Sequence, residues 1–426
     1  MRARTAVRAN YGMGVHSAKS EKIPCHTRPV PSLSCIVRIF FWFLVFAFLA
    51  CEGAHAQWNV VMHAGRRYVS IEDVAAFYRM GTPVSDAKIF AFSGQGRTVR
   101  GQAGGRDIYI NNVKYVLCFA IVSEGGRHLI SAMDVTKIIE PVMRPGKIKN
   151  AAEVRTVVLD AGHGGHDSGA TGSLCVEKIM ALDVVQRAKR MLQESGYTVR
   201  LTRNDDTFIP LEQRSAFANK FLNAIFISVH FNKSNTSGGT GIETFALAPR
   251  GVPSMDEENL SYSDFKQHPG HARDPENTAL ATAMHSSMLR HLRMYDRGIK
   301  RARFAVIRNL TIPGVLLEGG FVNNPTDSRQ IASLAFREAF ARAIAEGVGR
   351  YRNSVVGQMQ SFVPTAVVSA TDPTSAPIIK KEEETPSSPK KVEITPVGEK
   401  TPLEPSVSHA TDSLLTPSST SQPSSP

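Results

Sequence analysis

Between residues 154 and 352, short apolar runs alternate with amphipathic segments, and no other feature constrains the fold as much. The runs at 154–159 and 224–229 have the length and apolar content of buried strands. The segment 180–194 places apolar residues at helical spacing, and Gly196 follows it as a helix-ending residue. Strands that alternate with helices are typical of α/β proteins, so we predict an α/β domain over 154–352. The other predicted strands are 197–202, 241–246, 304–307 and 315–317, and the other predicted helices are 211–222, 277–292 and 327–351.

The N-terminal residues have the layout of a secretory signal peptide. An uninterrupted apolar run spans residues 39–50, after a basic stretch and before Ala54-His55-Ala56. A basic region, a short apolar run and a small-x-small cleavage pattern direct export, and the run is short for a membrane span. We therefore predict that residues 1–56 are a targeting segment and that the chain is exported to the periplasm or cell envelope. An uncleaved anchor, or a lipid anchor on Cys51, stays open as the alternative, and contact with a membrane would then run through this segment.

Charge and cysteine usage narrow the class of protein. The formal net charge is +12, which favours anionic surroundings such as nucleic acid, membrane headgroups or cell-wall polymers. No run interleaves Lys and Arg with aromatic residues, so we predict no nucleic-acid partner. Removal of the targeting segment would leave Cys118 and Cys175, which cannot form a disulfide framework, although one bridge between them stays open.

Two further segments flank the α/β domain. Residues 57–145 predict a small α/β accessory domain, in which Ser70 caps a helix over 71–78. Its segments YVSIEDVAAFY and DIYINN resemble the small N-terminal domain of copper amine oxidases, but they carry no metal set, and His128 is predicted to be a solvated loop residue. Residues 353–426 are rich in Pro, Ser and Thr and poor in large apolar residues, which predicts a disordered tail.

Residues that bind metals follow or precede the predicted strands and helices of the α/β domain. His163 lies in a glycine-rich loop after the first strand, Glu177 precedes a long helix, and His230 lies at the end of an apolar strand. Two imidazoles and one carboxylate are a known catalytic zinc set that leaves a position open for water. A separate carboxylate is then needed to move protons, and Glu318 follows another apolar strand.

Seven stretches are spread along residues 155–350 in this order: VVLDAGHGGHDSGATG, CVEK, LTRNDDTFIPLEQR, AIFISVHFN, GGTGIETF, RGIKRARFAVIRN and VLLEGGFVNNPTD. In this region the chain resembles the zinc-dependent N-acetylmuramoyl-L-alanine amidases, specifically the bacterial division-type and spore-type cell-wall amidases. The resemblance implies a twisted, mostly parallel sheet flanked by helices. It implies one catalytic Zn²⁺ and hydrolysis of the amide bond between N-acetylmuramic acid and L-alanine in peptidoglycan by zinc-activated water. A division-linked activator protein is a further partner that it implies.

Carried over residue by residue, the resemblance makes His163, Glu177 and His230 the zinc ligands and Glu318 the catalytic acid and base. Asn232 then helps to position the substrate. The resemblance assigns no metal to His166, which we predict to be exposed or to lie just outside the ligands. The family motifs also contain Arg203 and Arg214, for which salt bridges within the fold are the favoured role.

Other interpretations of the same residues stay open. A zinc peptidase acting on the stem peptide would use the same metal chemistry, and a non-catalytic wall-binding module would need no acid at Glu318. The insertion at residues 251–276 is predicted to be a mobile loop near the cleft, and it contains Ser263 and Lys266 in an SxxK pattern, which a serine DD-carboxypeptidase would use. A structural zinc site would need a fourth ligand, for which Cys175 is the candidate.

Overall fold

An 11-stranded sheet and a 4-stranded sheet organise the computed structural model, which describes residues 58–149, 151, 153–236, 238–254 and 260–356. The strands are β1 Val60–His63, β2 Arg66–Ser70, β3 Val84–Ser85, β4 Ile89–Gly94, β5 Arg97–Gln102, β6 Asp107–Ile110, β7 Val113–Val116, β8 Val122–Glu124, β9 Arg127–Ser131, β10 Thr156–Ala161, β11 Thr198–Leu201, β12 Ala224–Asn232, β13 Ile242–Leu247, β14 Asp296–Ala302 and β15 Gly314–Phe321. The helices are α1 Ile71–Phe77, α2 Ala132–Asp134, α3 Glu140–Met143, α4 Glu177–Glu194, α5 Leu211–Ala218, α6 Asp274–Leu292, α7 Ala305–Arg308, α8 Pro325–Ala332 and α9 Leu334–Val355. A π-helical turn, Val135–Ile139, joins α2 to α3, and 3-10 turns lie at Pro145–Lys147, Tyr262–Phe265 and Pro269–Arg273.

Six strands of the large sheet come from residues 154–352, and we call this part the catalytic half after the role predicted for it. Their order is β11-β10-β12-β15-β13-β14. Within it β13 runs antiparallel to β15, and the other neighbouring pairs are parallel. β10 and β12 are buried along almost their whole length, as expected for strands covered on both faces. The prediction of a mostly parallel sheet flanked by helices is therefore confirmed.

A layer of helices covers each face of this half. The long helices α4, α6 and α9 pack against one another on one face. On the other face α5 and α7 pack over a smaller apolar cluster that includes Phe226, Phe245 and Leu316. The candidate site lies where neighbouring strands β12, β15 and β13 carry His230, Glu318 and Glu243 in register.

Residues 58–149 join this sheet directly. Strands β3 to β7 are antiparallel and continue the sheet, because β7 pairs with β14 in parallel at Tyr115 and Ile299. The Lys114 backbone N–H donates to Asp296 Oδ2 at 3.1 Å, and the Tyr115 hydroxyl donates to Thr282 at 3.2 Å. All the described residues fall in one compact unit. The division into an accessory and a catalytic domain stays a prediction.

Local signals placed several elements correctly. The Ser70 hydroxyl accepts a hydrogen bond from the Asp73 N–H at 3.0 Å and caps α1, and Ser131 caps the next helix in the same way. The predicted strand over 304–307 is wrong, because these residues lie at helix α7. The prediction also missed β14, and it merged α8 and α9, which Ser333 separates by capping α9.

One further expectation was wrong, and others stay predictions. His128 is buried on β9 rather than solvated, with Nε2 2.8 Å from the Asp86 carbonyl oxygen. Where it is described, the 251–276 insertion contains two 3-10 turns, and α6 begins within it at Asp274. The mobility expected for this insertion stays a prediction. Cys118 and Cys175 are both buried free thiols, so they form no bridge. The predicted targeting segment and the tail beyond residue 356 lie outside the described residues. Where the chain is described, no helix is both long enough and apolar enough to cross a membrane.

Candidate metal centre

Asp160 and Arg214 hold the loop that carries His163. Asp160 is fully buried at the end of β10 and accepts hydrogen bonds from the Ser228 and Thr202 hydroxyls, both at 2.6 Å. Arg214 Nη1 pairs with Asp160 Oδ1 at 2.9 Å, and its Nη2 donates to the His163 carbonyl oxygen at 2.7 Å. Burial disfavours the charged Asp160, but the Arg214 charge and these hydroxyls outweigh it and lower the pKa of the carboxyl. The salt bridge predicted for Arg214 is present.

The backbone of this loop takes a conformation that brings His163 towards the neighbouring strand. His163 has φ +60°, in the left-handed region that costs a residue with a Cβ about 1–2 kcal/mol. Its Nδ1–H donates to Asp167 Oδ2 at 2.8 Å, which leaves Nε2 facing the site. Burial lowers the pKa of His163, but its hydrogen bond with Glu177 outweighs this, so that the pKa is raised.

Glu177 and His230 reach the same point from different elements. Glu177 is the first residue of α4 and is buried, and its Oε1 lies 3.1 Å from His163 Nε2 and 2.8 Å from His230 Nδ1. The Ala170 backbone N–H donates to Glu177 Oε2 at 2.7 Å and fixes the carboxylate. Although burial disfavours the charge, hydrogen bonds from the two imidazoles hold the pKa of Glu177 below its usual value.

These three side chains fit a zinc ion. His163, Glu177 and His230 each offer one ligand atom, and the three atoms lie within 4.8 Å of one another. Glycines make the space for them: a Cβ at Gly162 would overlap the His230 ring, and one at Gly169 would lie 2.6 Å from Glu177 Oε2. A ligating imidazole whose other nitrogen donates to a carboxylate, as His163 does to Asp167, is the usual arrangement at such centres.

Glu318 stands next to this group on the sheet. It pairs in register with His230 on one side and with Glu243 on the other. Its Oε2 is buried without a hydrogen-bond partner in the described part of the chain. Burial, with the negative charges of Glu177 and Glu243, raises the pKa of Glu318 well above its usual value. A protonatable carboxyl therefore faces the ligand group.

The remaining predicted residues are distributed around the centre. Asn232 is the last residue of β12, two positions after His230, and its amide lies 3.4 Å from Glu243 Oε2. His166 is exposed and stacks on Phe208 at 4.2 Å between ring centroids, away from the ligand group. The salt bridge predicted for Arg203 is wrong for the described residues, because Arg203 pairs with no carboxylate among them. It donates to the backbone carbonyls of Ala161 and Gly162 at 2.9 and 2.7 Å instead.

Sequence reasoning missed the groups that surround Glu243. This carboxylate is 2% exposed, and Oε1 pairs with Arg297 and with Lys300 Nζ at 2.9 Å. Arg297 also lies over the Phe321 ring, 5.0 Å from its centroid. The GIETF stretch that contains Glu243 was a signal, because it places one acid in an otherwise apolar strand. Asp167, within the glycine-rich motif, was likewise not assigned a role.

The structure also bears on the alternative residues. The Ser263 hydroxyl lies 2.6 Å from the Ser261 hydroxyl, and Lys266 Nζ lies over the Tyr262 ring. Among the described contacts, Ser263 and Lys266 meet through a backbone hydrogen bond of 3.2 Å and not through their side chains. Cys175 is buried beside Ser328 and is not among the metal-binding group found in the described residues. Neither the DD-carboxypeptidase reading nor the structural-zinc reading gains support from this geometry.

Comparison with known proteins identifies the family of the chain. The sequence profile of the N-acetylmuramoyl-L-alanine amidase family matches residues 157–350. N-acetylmuramoyl-L-alanine amidase AmiA of Escherichia coli (strain K12) is 30% identical over 254 residues, which cover 54% of this chain and 88% of AmiA. Uncharacterized protein YqiI of Bacillus subtilis (strain 168) is 34% identical over 200 residues, covering 47% of this chain and 85% of YqiI. The catalytic domain of CwlV, an N-acetylmuramoyl-L-alanine amidase from Bacillus (Paenibacillus) polymyxa var. colistinus, is 33% identical and covers 46% of this chain and 98% of its own, with a TM-score of 0.39. The chain belongs to the N-acetylmuramoyl-L-alanine amidase family.

Proposed function

We propose that this amidase cleaves the bond between N-acetylmuramic acid and L-alanine with one zinc ion held by His163, Glu177 and His230. Family membership carries the peptidoglycan amidase reaction itself. The observation that supports the zinc chemistry is the convergence of two imidazoles and a carboxylate within 4.8 Å, beside an unpartnered buried carboxyl oxygen at Glu318. Zinc, when bound, supplies a Lewis acid that lowers the pKa of water and polarises the carbonyl under attack.

Glu318 moves the proton in this proposal. Its carboxylate takes a proton from the attacking water, and the same oxygen returns it to the nitrogen of the departing L-alanine. The water oxygen bonds to the carbonyl carbon and the amide C–N bond breaks, which leaves a carboxylic acid on the muramic lactyl group, holding the second water proton, and a free amine on the stem peptide. The raised pKa of Glu318 suits this role, because the carboxyl must hold a proton between the two transfers.

Asn232 and Asp167 support the reacting groups. Asn232 lies at the end of β12 next to Glu243, where its side chain can orient a substrate amide. Asp167 fixes the ring orientation of His163 through their 2.8 Å hydrogen bond.

The proposal extends to location and partners. The apolar run at 39–50 with its small-x-small cleavage pattern supports export to the periplasm or cell envelope. The net charge of +12 favours an anionic wall polymer as the substrate. A role in cell division and regulation by an activator protein belong to the same proposal.

The test is product analysis by mass spectrometry after the chain is incubated with purified sacculi, with and without a zinc chelator. We expect intact stem peptides that begin with L-alanine to be released, and we expect the chelator to stop the release. Cleavage inside the stem peptide would replace the amidase assignment with a zinc peptidase. Chelator-resistant release of the same peptides would overturn the zinc proposal.

A further inference from the structure

The sheet face that carries Glu318 continues beyond the catalytic half of the chain. Because β15, β13, β14, β7, β6 and β5 are successive neighbours, residues in register across them lie on one face. Glu318 pairs with Glu243, and Lys300 pairs with Phe245, two residues further along β13. Alternation along β13 puts Glu243 and Phe245 on the same face, and Lys300 Nζ contacts Glu243 from there.

The residues in register on this face continue from β14 into residues 58–149. The backbone of Gly298 lies against Lys114, because a Cβ at Gly298 would come within 3.0 Å of Lys114 Cγ. Lys114 pairs directly with Tyr109, and Tyr109 pairs directly with Arg100. Five steps of about 4.8 Å between strands place Arg100 roughly 24 Å from Glu318 along this face.

This part of the face is open to solvent. The opposite side of the same strands is buried, as Val99, Ile108 and Tyr115 show. On the open side Arg100 is exposed and Tyr109 is half-buried. No described helix covers this side, in contrast to the layer that α5 and α7 form over the catalytic half.

The open side presents cations and aromatic rings together. The Arg100 guanidinium lies over the Tyr109 ring, 3.9 Å from its centroid, and forms no ion pair with a described residue. Lys114 Nζ binds Asp107 at 2.6 Å. Burial lowers the pKa of Lys114, but Asp107 outweighs it, and the phenols of Tyr109 and Tyr295 lie close enough to add to the rise. Tyr295, which precedes β14, is 63% exposed.

We propose that Arg100, Tyr109, Lys114 and Tyr295 form a subsite for the stem-peptide carboxylates of polymeric peptidoglycan, distant from the bond that is cut. The subsite rests on the proposed function, because its ligand is a part of the peptidoglycan that the enzyme is proposed to cut. The Arg100 guanidinium is held against the Tyr109 ring and pairs with no carboxylate among the described residues. It can therefore bind a carboxylate of the substrate. Neighbouring strands in a sheet are rotated by about 20–25° relative to each other, so the sheet face between Glu318 and Arg100 is twisted. A flexible polymer such as peptidoglycan can follow this twist.

The test compares the full chain with its Arg100→Ala and Tyr109→Ala variants on two substrates. One is intact sacculi, and the other is a soluble muropeptide of one disaccharide with its stem peptide. We expect each variant to weaken binding to sacculi in a pelleting assay by up to about five-fold, the range of an exposed ion pair. KM for sacculi should rise by a similar factor, and by more than KM for the muropeptide. Arg342→Ala, which removes an exposed arginine from α9 on the opposite helical layer, is the matched control.

Three outcomes would overturn the subsite. Arg100→Ala could behave like Arg342→Ala, or it could lose as much on the muropeptide as on sacculi, which would indicate a structural role. The Arg100 effect could also persist on sacculi whose carboxylates have been chemically amidated, which would indicate sugar recognition. The pelleting assay needs no catalysis, so it tests the subsite even if the wild-type chain releases no stem peptide. A wild-type chain that released no stem peptide would overturn the proposed function and not the subsite.

Discussion

Glu318 combines two properties that a structural residue would avoid. Its Oε2 is buried without a hydrogen-bond partner among the described residues, and negative charges at Glu177 and Glu243 lie near it. A buried polar atom without a partner costs about 1–3 kcal/mol, so its position needs a reason outside folding. The proton transfer proposed for Glu318 would supply that reason.

We expect Glu318→Gln to lower kcat for stem-peptide release by about 10²–10⁴-fold, because the amide cannot carry the proton. Zinc content, measured by atomic absorption, should stay at the wild-type level, since Glu318 is outside the ligand group. Glu153→Gln, at an exposed pair with Arg155, is the matched control. A variant that kept near wild-type kcat would remove Glu318 from the mechanism.

In the proposed zinc site, we expect Asp167 to act on the metal through its hydrogen bond with His163. Asp167→Asn should reduce zinc affinity by about 10–100-fold, because the weaker acceptor no longer fixes the imidazole. Competition with a chelator of known affinity measures this, and Asp73→Asn, on the exposed side of α1, serves as the comparison. Equal affinities in the two variants would show that the 2.8 Å contact does not tune the ligand.

At the level of elements, sequence signals worked where hydrogen bonds and apolar spacing are local. The capping serines at 70 and 131, and the apolar strands β10 and β12, were visible in short windows. β14 was missed because several of its residues are charged: Arg301 is buried against Asp274 at 3.1 Å, and Lys300 against Glu243. Those partners come from distant parts of the chain, so no apolar alternation marks the strand.

The Asp160–Arg214 pair links β10 to α5 and makes stability depend on pH. The pKa of Asp160 is lowered in the folded state, so its stabilisation is complete above the ordinary aspartate pKa of about 3.9 and is lost as the pH falls through the folded value. Arg214→Gln should therefore cost about 3–5 kcal/mol at pH 7, the usual effect of breaking a buried pair.

Denaturant unfolding at several pH values measures this cost. The difference between wild type and Arg214→Gln should shrink as the pH falls below about 3.9 and should vanish only below the lowered pKa of Asp160 in the folded wild type, where this carboxyl is protonated in both proteins. Arg155→Gln, at an exposed pair, should cost about 1 kcal/mol or less. A cost at Arg214 that did not change with pH would mean that its bonds to backbone carbonyls, and not Asp160, supply the stabilisation.

At the scale of the molecule, the accessory segment is tied to the catalytic half by buried polar contacts. Arg301 Nη2 donates to the Lys137 carbonyl oxygen at 2.6 Å, and Lys137 Nζ lies 3.3 Å from Asp274. His285, fully buried, pairs with Asp296, which also accepts the Lys114 N–H. Removal of residues 58–149 would take away hydrogen-bond partners of Arg301 and Asp296 and would expose these groups to water.

Deletion of residues 1–153 should therefore lower the melting temperature on the order of 10 °C. Loss of buried polar contacts costs about 3–5 kcal/mol, and each kcal/mol is about 2–4 °C for a domain of this size. Differential scanning calorimetry measures the shift, with deletion of residues 369–426, which lie outside the described residues, as the comparison. Equal melting temperatures for the two deletions would establish the catalytic half as an independent domain.

The sequence by itself determined the α/β alternation and the chemistry of the ligands at 163, 177 and 230. Both depend on residue type and short-range spacing, which one chain segment contains in full. Tertiary structure alone decided that β7 would join β14, and that Glu243 would face Glu318 with Arg297 and Lys300 behind it. These contacts join residues far apart in the chain, and their register depends on how whole elements pack. The sheet face that carries Glu318 and becomes exposed at Arg100 is a product of that packing.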